Sequence, residues 1–193
     1  MSLNETKTDL YKDLNLPEDT VSTSLDAMVA GETKYVRDLR INLRNALNAE
    51  NINEKEAYLI ALSVAVNERN EKLVEGFTAI AKDKGATDAE IAETHACTSL
   101  LSSNNVLYRF RHFAEKDSYN TMPARIKMNI MMNPVLGKEF FELLSLVISA
   151  VNGCEQCVKS HEESVRKHGA SEERIFDAIR LGAVVRGLSQ AVN

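Results

Sequence analysis

A chain of 193 residues, 44% of them apolar, is long enough to bury a core without disulfide staples, and its 23 basic against 28 acidic residues leave a net charge of −5. No run of Lys or Arg makes a phosphate-binding stripe, no apolar stretch reaches the roughly 20 residues of a bilayer span, and the first six residues lack a charged-then-apolar leader pattern. These features argue against nucleic-acid and membrane partners and predict a cytoplasmic protein in which three cysteines signal redox or metal chemistry at a close pair rather than a structural framework.

Helix formers dominate, only Pro17, Pro123 and Pro134 interrupt them, and no alternating strand pattern competes, so the predicted fold is all-α. Residues 1–24 read as a polar, loosely held arm, with 1–34 as arm and start of the first helix and 35–193 as a single domain. From about Leu25 onward, Tyr35, Val36, Leu39, Leu43 and Leu47 recur every three to four residues and share one helical face. Asn53 with Glu56, and Thr87 with Glu90, have the spacing of reciprocal N-terminal caps, so helices should start there.

An internal repeat follows. Ser63-Val64-Ala65-Val66-Asn67 is echoed by Ile148-Ser149-Ala150-Val151-Asn152, and Lys84-Gly85-Ala86-Thr87 by His168-Gly169-Ala170-Ser171, an offset of 85 that becomes 84 after one indel. Two copies predict two related helical units, 53–113 and 139–193, joined by a Met-rich, Pro-bearing connector at 114–138. Met128, Met131 and Met132 in that connector read as packing material at helical spacing. Where the second unit has Cys154, Cys157 and His161, the first has Asn70, Leu73 and Phe77.

The chemistry-bearing stretch is Ala150 to His161. Asn152 and Glu155 have cap spacing, so a helix should begin at Gly153 with both cysteines in its opening turns, where the helix dipole favours thiolate. Positions 154, 157 and 161 then lie on one face. A reversal near Asn152 and Gly153 folds the apolar helix from Phe140 to Val151 back on this one and brings Glu142 opposite His161. A carboxylate there orients the imidazole, leaving its other nitrogen to exchange a proton with a cysteine. A thiolate so placed can attack a peroxide oxygen, and its sulfenic acid can condense with the neighbouring thiol to a disulfide.

These residues, with Tyr35 to Leu43, Asn104 to Arg109, Met128 to Pro134, Phe141-Glu142-Leu143 and His161-Glu162, resemble the alkylhydroperoxidase D family within the carboxymuconolactone decarboxylase-like group. The resemblance covers about Tyr35 to Asn193. It implies an all-helical fold and a catalytic set of Glu142, Cys154, Cys157 and His161, with Cys157 passing through sulfenic acid and Cys154 acting as proton donor and disulfide partner. It also implies an antioxidant peroxidase for hydrogen peroxide and alkyl hydroperoxides that binds no cofactor. An external lipoyl dithiol on a lipoylated protein would re-reduce it, a peroxiredoxin is a further partner, and the assembly would be a homotrimer. Two departures stand out: Gln156 occupies a position where some members carry a second histidine, and the arm before Tyr35 is longer than the family core requires.

Two other readings compete. A relay that passes electrons from lipoyl protein to a peroxiredoxin without reducing peroxide itself fits Gln156. A structural zinc module would draw on Cys154, Cys157, His161 and His168. Cys97 reads as a small buried apolar residue, and His95 and His112 have no motif around them.

Overall fold

The computed structural model describes residues 2–193, and among them the regular structure is ten α-helices and one 3-10 turn, with no strand. In chain order the helices are α1 (Leu3–Asp13), α2 (Thr23–Ala30), α3 (Tyr35–Leu47), α4 (Glu54–Asn67), α5 (Glu71–Asp83), α6 (Asp88–Ala114), α7 (Asp117–Thr121), α8 (Lys138–Val151), α9 (Glu155–Lys167) and α10 (Glu172–Ala191). The 3-10 turn, Asn129–Met131, lies in the connector before α8. The all-α expectation is met, and the helix starts at Asn53 and Thr87 both carry the reciprocal side-chain caps that the sequence signalled. No helix among the described residues is long and apolar enough to cross a membrane.

The first 24 residues differ from the loose arm expected of them. Leu10, Tyr11 and Leu14 of α1 and the residue after it are fully buried, and Arg40 of α3 holds Asp9 and Asp13 at 2.7 Å each. The Leu14 carbonyl comes so close to α5 that a Cβ on Gly76 would stand 2.2 Å from its oxygen. Ser22 Oγ donates to the Ala191 carbonyl at 2.7 Å, fastening the segment to the last helix as well. A short apolar stripe in a polar sequence is enough to dock a helix when the surface receiving it is itself apolar.

The repeat is structural. Turn hydrogen bonds Glu68 N to Val64 O, Arg69 N to Val66 O and Asn70 N to Ala65 O recur as Asn152 N to Ile148 O, Gly153 N to Ala150 O and Cys154 N to Ser149 O. Each pair is 84 residues apart, so one offset relates the two turns and the expected indel is not needed there. The same offset relates the ion pair Lys55–Glu90 to Glu139–Arg174, with the charges exchanged. It also relates Asp177, which accepts from Asn51 N and Nδ2, to Glu93, which accepts from Val135 N and Leu136 N. The units are interleaved: α4 packs against α10 and α8 against α6, as well as each against its own last helix.

Candidate active site

Helix α8 is apolar on nearly every side, and its residues from Phe140 to Ser149 are buried, Glu142 included. It ends at Asn152, and Gly153 takes a left-handed φ of 68° that turns the chain back into α9. The helix start lies two residues later than expected. Cys154, not Asn152, is the N-cap, and its sulfur accepts from Cys157 N at 3.4 Å. Asn152 instead points its side chain across the units, exchanging hydrogen bonds with Asn67 at 3.0 and 3.1 Å and donating to Asn105 at 3.0 Å. Arg109 fixes its carbonyl at 2.6 Å. The equivalent cap in the first unit is Asn70, whose Oδ1 accepts from Leu73 N at 3.1 Å. A cysteine sulfur has thus taken over the capping place of an amide oxygen.

Cys154 and Cys157 are joined in a disulfide with their Cα atoms 5.3 Å apart. Cys154 is fully buried, whereas Cys157 keeps 6% of its surface open. One turn along α9, His161 Nδ1 lies 2.7 Å from Glu142 Oε2, the juxtaposition anticipated from the helix reversal. The carboxylate is also gripped by a residue the sequence reading passed over: Lys138 Nζ sits 2.8 Å from Glu142 Oε1 and donates to the Met131 carbonyl at 2.8 Å. Its i, i+4 spacing before Glu142 was the available signal. Burial opposes ionisation of Glu142, but the hydrogen bonds from His161 and Lys138 outweigh it and hold the carboxyl down at about 2. An ionised Glu142 accepts the Nδ1 proton, so Nε2 is the imidazole nitrogen left to take up or release one.

Position for position, the first unit shows what this site replaces. Tyr58 and Phe77, 84 residues before Glu142 and His161, meet ring to ring at 6.3 Å. One copy keeps an aromatic contact where the other keeps an acid and a base.

Cys157, His161 and Gln156 form one side of a hollow of about 510 Å³. Tyr108 and Arg111 of α6 and Met128 and Met131 of the connector line it too. The methionines therefore do more than fill space, and Met132, at 74% exposed, is not packing material at all. The hollow puts a sulfur, a proton-exchanging ring and a largely apolar wall in one place.

The remaining candidates lie elsewhere. Cys97 is buried against Ser145 Oγ at 3.5 Å, and burial pushes its thiol up to about 12, the behaviour of an inert core residue. His112 pairs with Glu155 at 3.1 Å on the surface. His168 bonds the Ser164 carbonyl at 2.8 Å and lines a different depression, beside Arg174 and Glu56, so it does not join Cys157 and His161 as a fourth zinc ligand. No group of three or more His, Cys, Asp or Glu side chains among the described residues is arranged to hold a metal ion.

Comparison with known proteins identifies relatives of this chain. The model of the carboxymuconolactone decarboxylase family matches residues 36–115 and again 119–193, one match per helical unit. Alkyl hydroperoxide reductase AhpD of Anaeromyxobacter dehalogenans (strain 2CP-C) is 37% identical over 88% of this chain and 90% of its own length. The protein of the same name from Rhodopseudomonas palustris (strain BisB18) is 35% identical over 88% of this chain and 93% of its own. That from Brucella canis is 32% identical over 88% and 96%.

Proposed function

The chain belongs to the carboxymuconolactone decarboxylase family, and from that premise we propose that it is an alkyl hydroperoxide reductase working through a Cys154/Cys157 dithiol and disulfide cycle. The observation that carries this reading is the disulfide beside the Glu142–His161 pair, with Cys157 and His161 on one wall of the same hollow.

In the reduced protein Cys157 gives its thiol proton to His161, and the resulting thiolate attacks the terminal oxygen of a hydroperoxide. The O–O bond breaks, Cys157 becomes a sulfenic acid, and the departing alkoxide takes a proton from His161 and leaves as alcohol. Cys154 then attacks the sulfenic sulfur. Its thiol proton and the sulfenic hydroxyl depart as water, and the disulfide forms. Two electrons have passed from the dithiol to the peroxide. An external dithiol, which we assign to the lipoyl group of a partner protein, restores both thiols by exchange.

Exposure bears on which sulfur meets the peroxide. The helix N-terminus favours thiolate at the cap residue Cys154, but Cys154 is sealed and Cys157 opens into the hollow next to His161. Access supports Cys157 as the attacking group and Cys154 as its resolving partner. Gln156 on the hollow wall favours a second reading, in which the same dithiol mainly relays electrons to a peroxiredoxin. The homotrimer is proposed as well, supported by exposed Val106, Phe110 and Phe113 on one face of α6.

Full-length protein supplied with an alkyl hydroperoxide and dihydrolipoamide should turn over, and Cys154→Ser and Cys157→Ser should each stop it. Full rates in both variants would overturn the proposal. Activity appearing only when a peroxiredoxin is added would select the relay.

A further inference from the structure

The hollow is larger than the smallest peroxide needs. Its volume of about 510 Å³ lies in the range of sites for small organic ligands, whereas hydrogen peroxide fills little more than the ~30 Å³ of one water molecule. Much of the wall is apolar, with Met128, Met131 and Tyr108 among the residues that line it. The residues of α6 that line it, Asn104 to Arg111, span about 10 Å along the helix axis, room for a chain of several carbons.

One charge breaks the pattern. Among the described residues lining the hollow, Arg111 carries the only permanent charge, and no carboxylate lines it at all. Arg111 also differs from three other arginines of the chain. Arg40, Arg174 and Arg180 each pair with carboxylates, but Arg111 donates Nη2 to the Met122 carbonyl at 2.5 Å and lies 5.5 Å from the centre of the Tyr108 ring, with no acidic partner. A guanidinium has five donors in a planar fork, and the contact with Met122 uses one. The remaining donors suit the two oxygens of a carboxylate.

We propose that Arg111 is the recognition group for an anionic head, so that the preferred substrates are organic hydroperoxides carrying a carboxylate, of the fatty-acid type. The chain of such a molecule lies along Tyr108, Met128 and Met131, its carboxylate on Arg111 and its hydroperoxide at Cys157. This inference deepens the reductase reading and rests on it for the chemical step, which is the balanced transfer already described. The positioning of the carboxylate rests on the hollow alone.

The test compares a fatty-acid hydroperoxide with its methyl ester, using full-length protein and dihydrolipoamide. The wild type should favour the acid over the ester in kcat/KM by about tenfold or more, the scale of one charge-assisted contact. Arg111→Met should collapse that ratio toward one, and Arg111→Lys should retain part of it. Equal rates on acid and ester in the wild type, or a ratio unchanged in Arg111→Met, would overturn the proposal. Calorimetric binding of octanoate to the oxidised protein gives a readout without turnover, and it should weaken about tenfold in Arg111→Met. Octanoate binding that needs Arg111, in a protein that reduces neither hydroperoxide, would leave the anion site standing and remove the reductase reading. Turnover of both without discrimination would do the reverse.

Discussion

Phe77 faces Tyr58 in the first helical unit at the places that His161 and Glu142 hold in the second. The two pairs sit on the same two helices of the repeat, α4 with α5 and α8 with α9, so the scaffold accepts either chemistry at this point.

That equivalence yields the first expected outcome. The double variant Glu142→Tyr with His161→Phe should fold with a Tm close to or above that of the wild type, because replacing both partners of a buried hydrogen bond by groups that pack in their place can be nearly neutral or stabilising. Peroxide turnover should vanish. His161→Phe alone leaves Glu142 buried with one partner fewer and should cost about 1–3 kcal/mol in denaturant titration.

The two cysteines should fail in different ways. Serine is a favoured N-cap, so Cys154→Ser should keep the start of α9 and the stability of the fold. One equivalent of hydroperoxide should leave a single added oxygen on its Cys157, seen by mass spectrometry, with no second turnover. Cys157→Ser should take up no oxygen. Rapid oxygen uptake at Cys154 in that variant would reverse the assignment of the attacking sulfur.

The carboxyl of Glu142 links the site to acid stability. Its ionisation is favoured in the folded state, from an ordinary value of 4.5 down to about 2. The stability it contributes is therefore present above about 4.5 and lost as pH falls toward 2. The full span amounts to roughly 3 kcal/mol, and Glu142→Gln should flatten the pH dependence of unfolding in that window. Lys138→Met removes one of the two hydrogen bonds that hold the Glu142 carboxylate, so the acid limb of the kcat/KM profile should move to higher pH. Lys138→Arg should move it back, which a purely structural lysine would not do.

The docking of α1 includes the close approach of Leu14, the residue after it, to Gly76. Gly76→Ala places a methyl group 2.2 Å from a backbone oxygen that cannot rotate away. Destabilisation of about 1–3 kcal/mol should follow, together with faster proteolysis in the segment between α1 and α2. Unchanged melting and cleavage would mean that this contact holds nothing.

Much of this architecture was legible in the residues. Helix formers with few breakers set the fold class, and caps such as Asn53 with Glu56 fixed boundaries because one side chain satisfies one backbone group at a set distance along the chain. Glu142 opposite His161 was legible for a similar reason: both lie on helices joined by a tight turn whose geometry Gly153 permits. What the sequence hid depended on long-range contact. Nothing local in α1 says that Leu10, Tyr11 and Leu14 meet an apolar surface built from residues far along the chain. Asn152 looked like a cap because Glu155 stood three residues on, but bonds to Asn67 and Asn105 from the other unit took its side chain away. Lys138 carried a readable spacing, yet its second bond, to the Met131 carbonyl, exists only because the connector folds back over the site.

The interleaving of the units has a consequence for what can be separated. Because α4 leans on α10 and α8 on α6, each half contributes surfaces that only the opposite half can cover. A protease cut in the connector near Pro123 should therefore leave two fragments that stay associated and catalytically competent, while either fragment produced alone should aggregate. Co-expression of the halves would then restore what neither holds in isolation, and a substitution in the cysteine-free half would be felt at the sulfur atoms of the other.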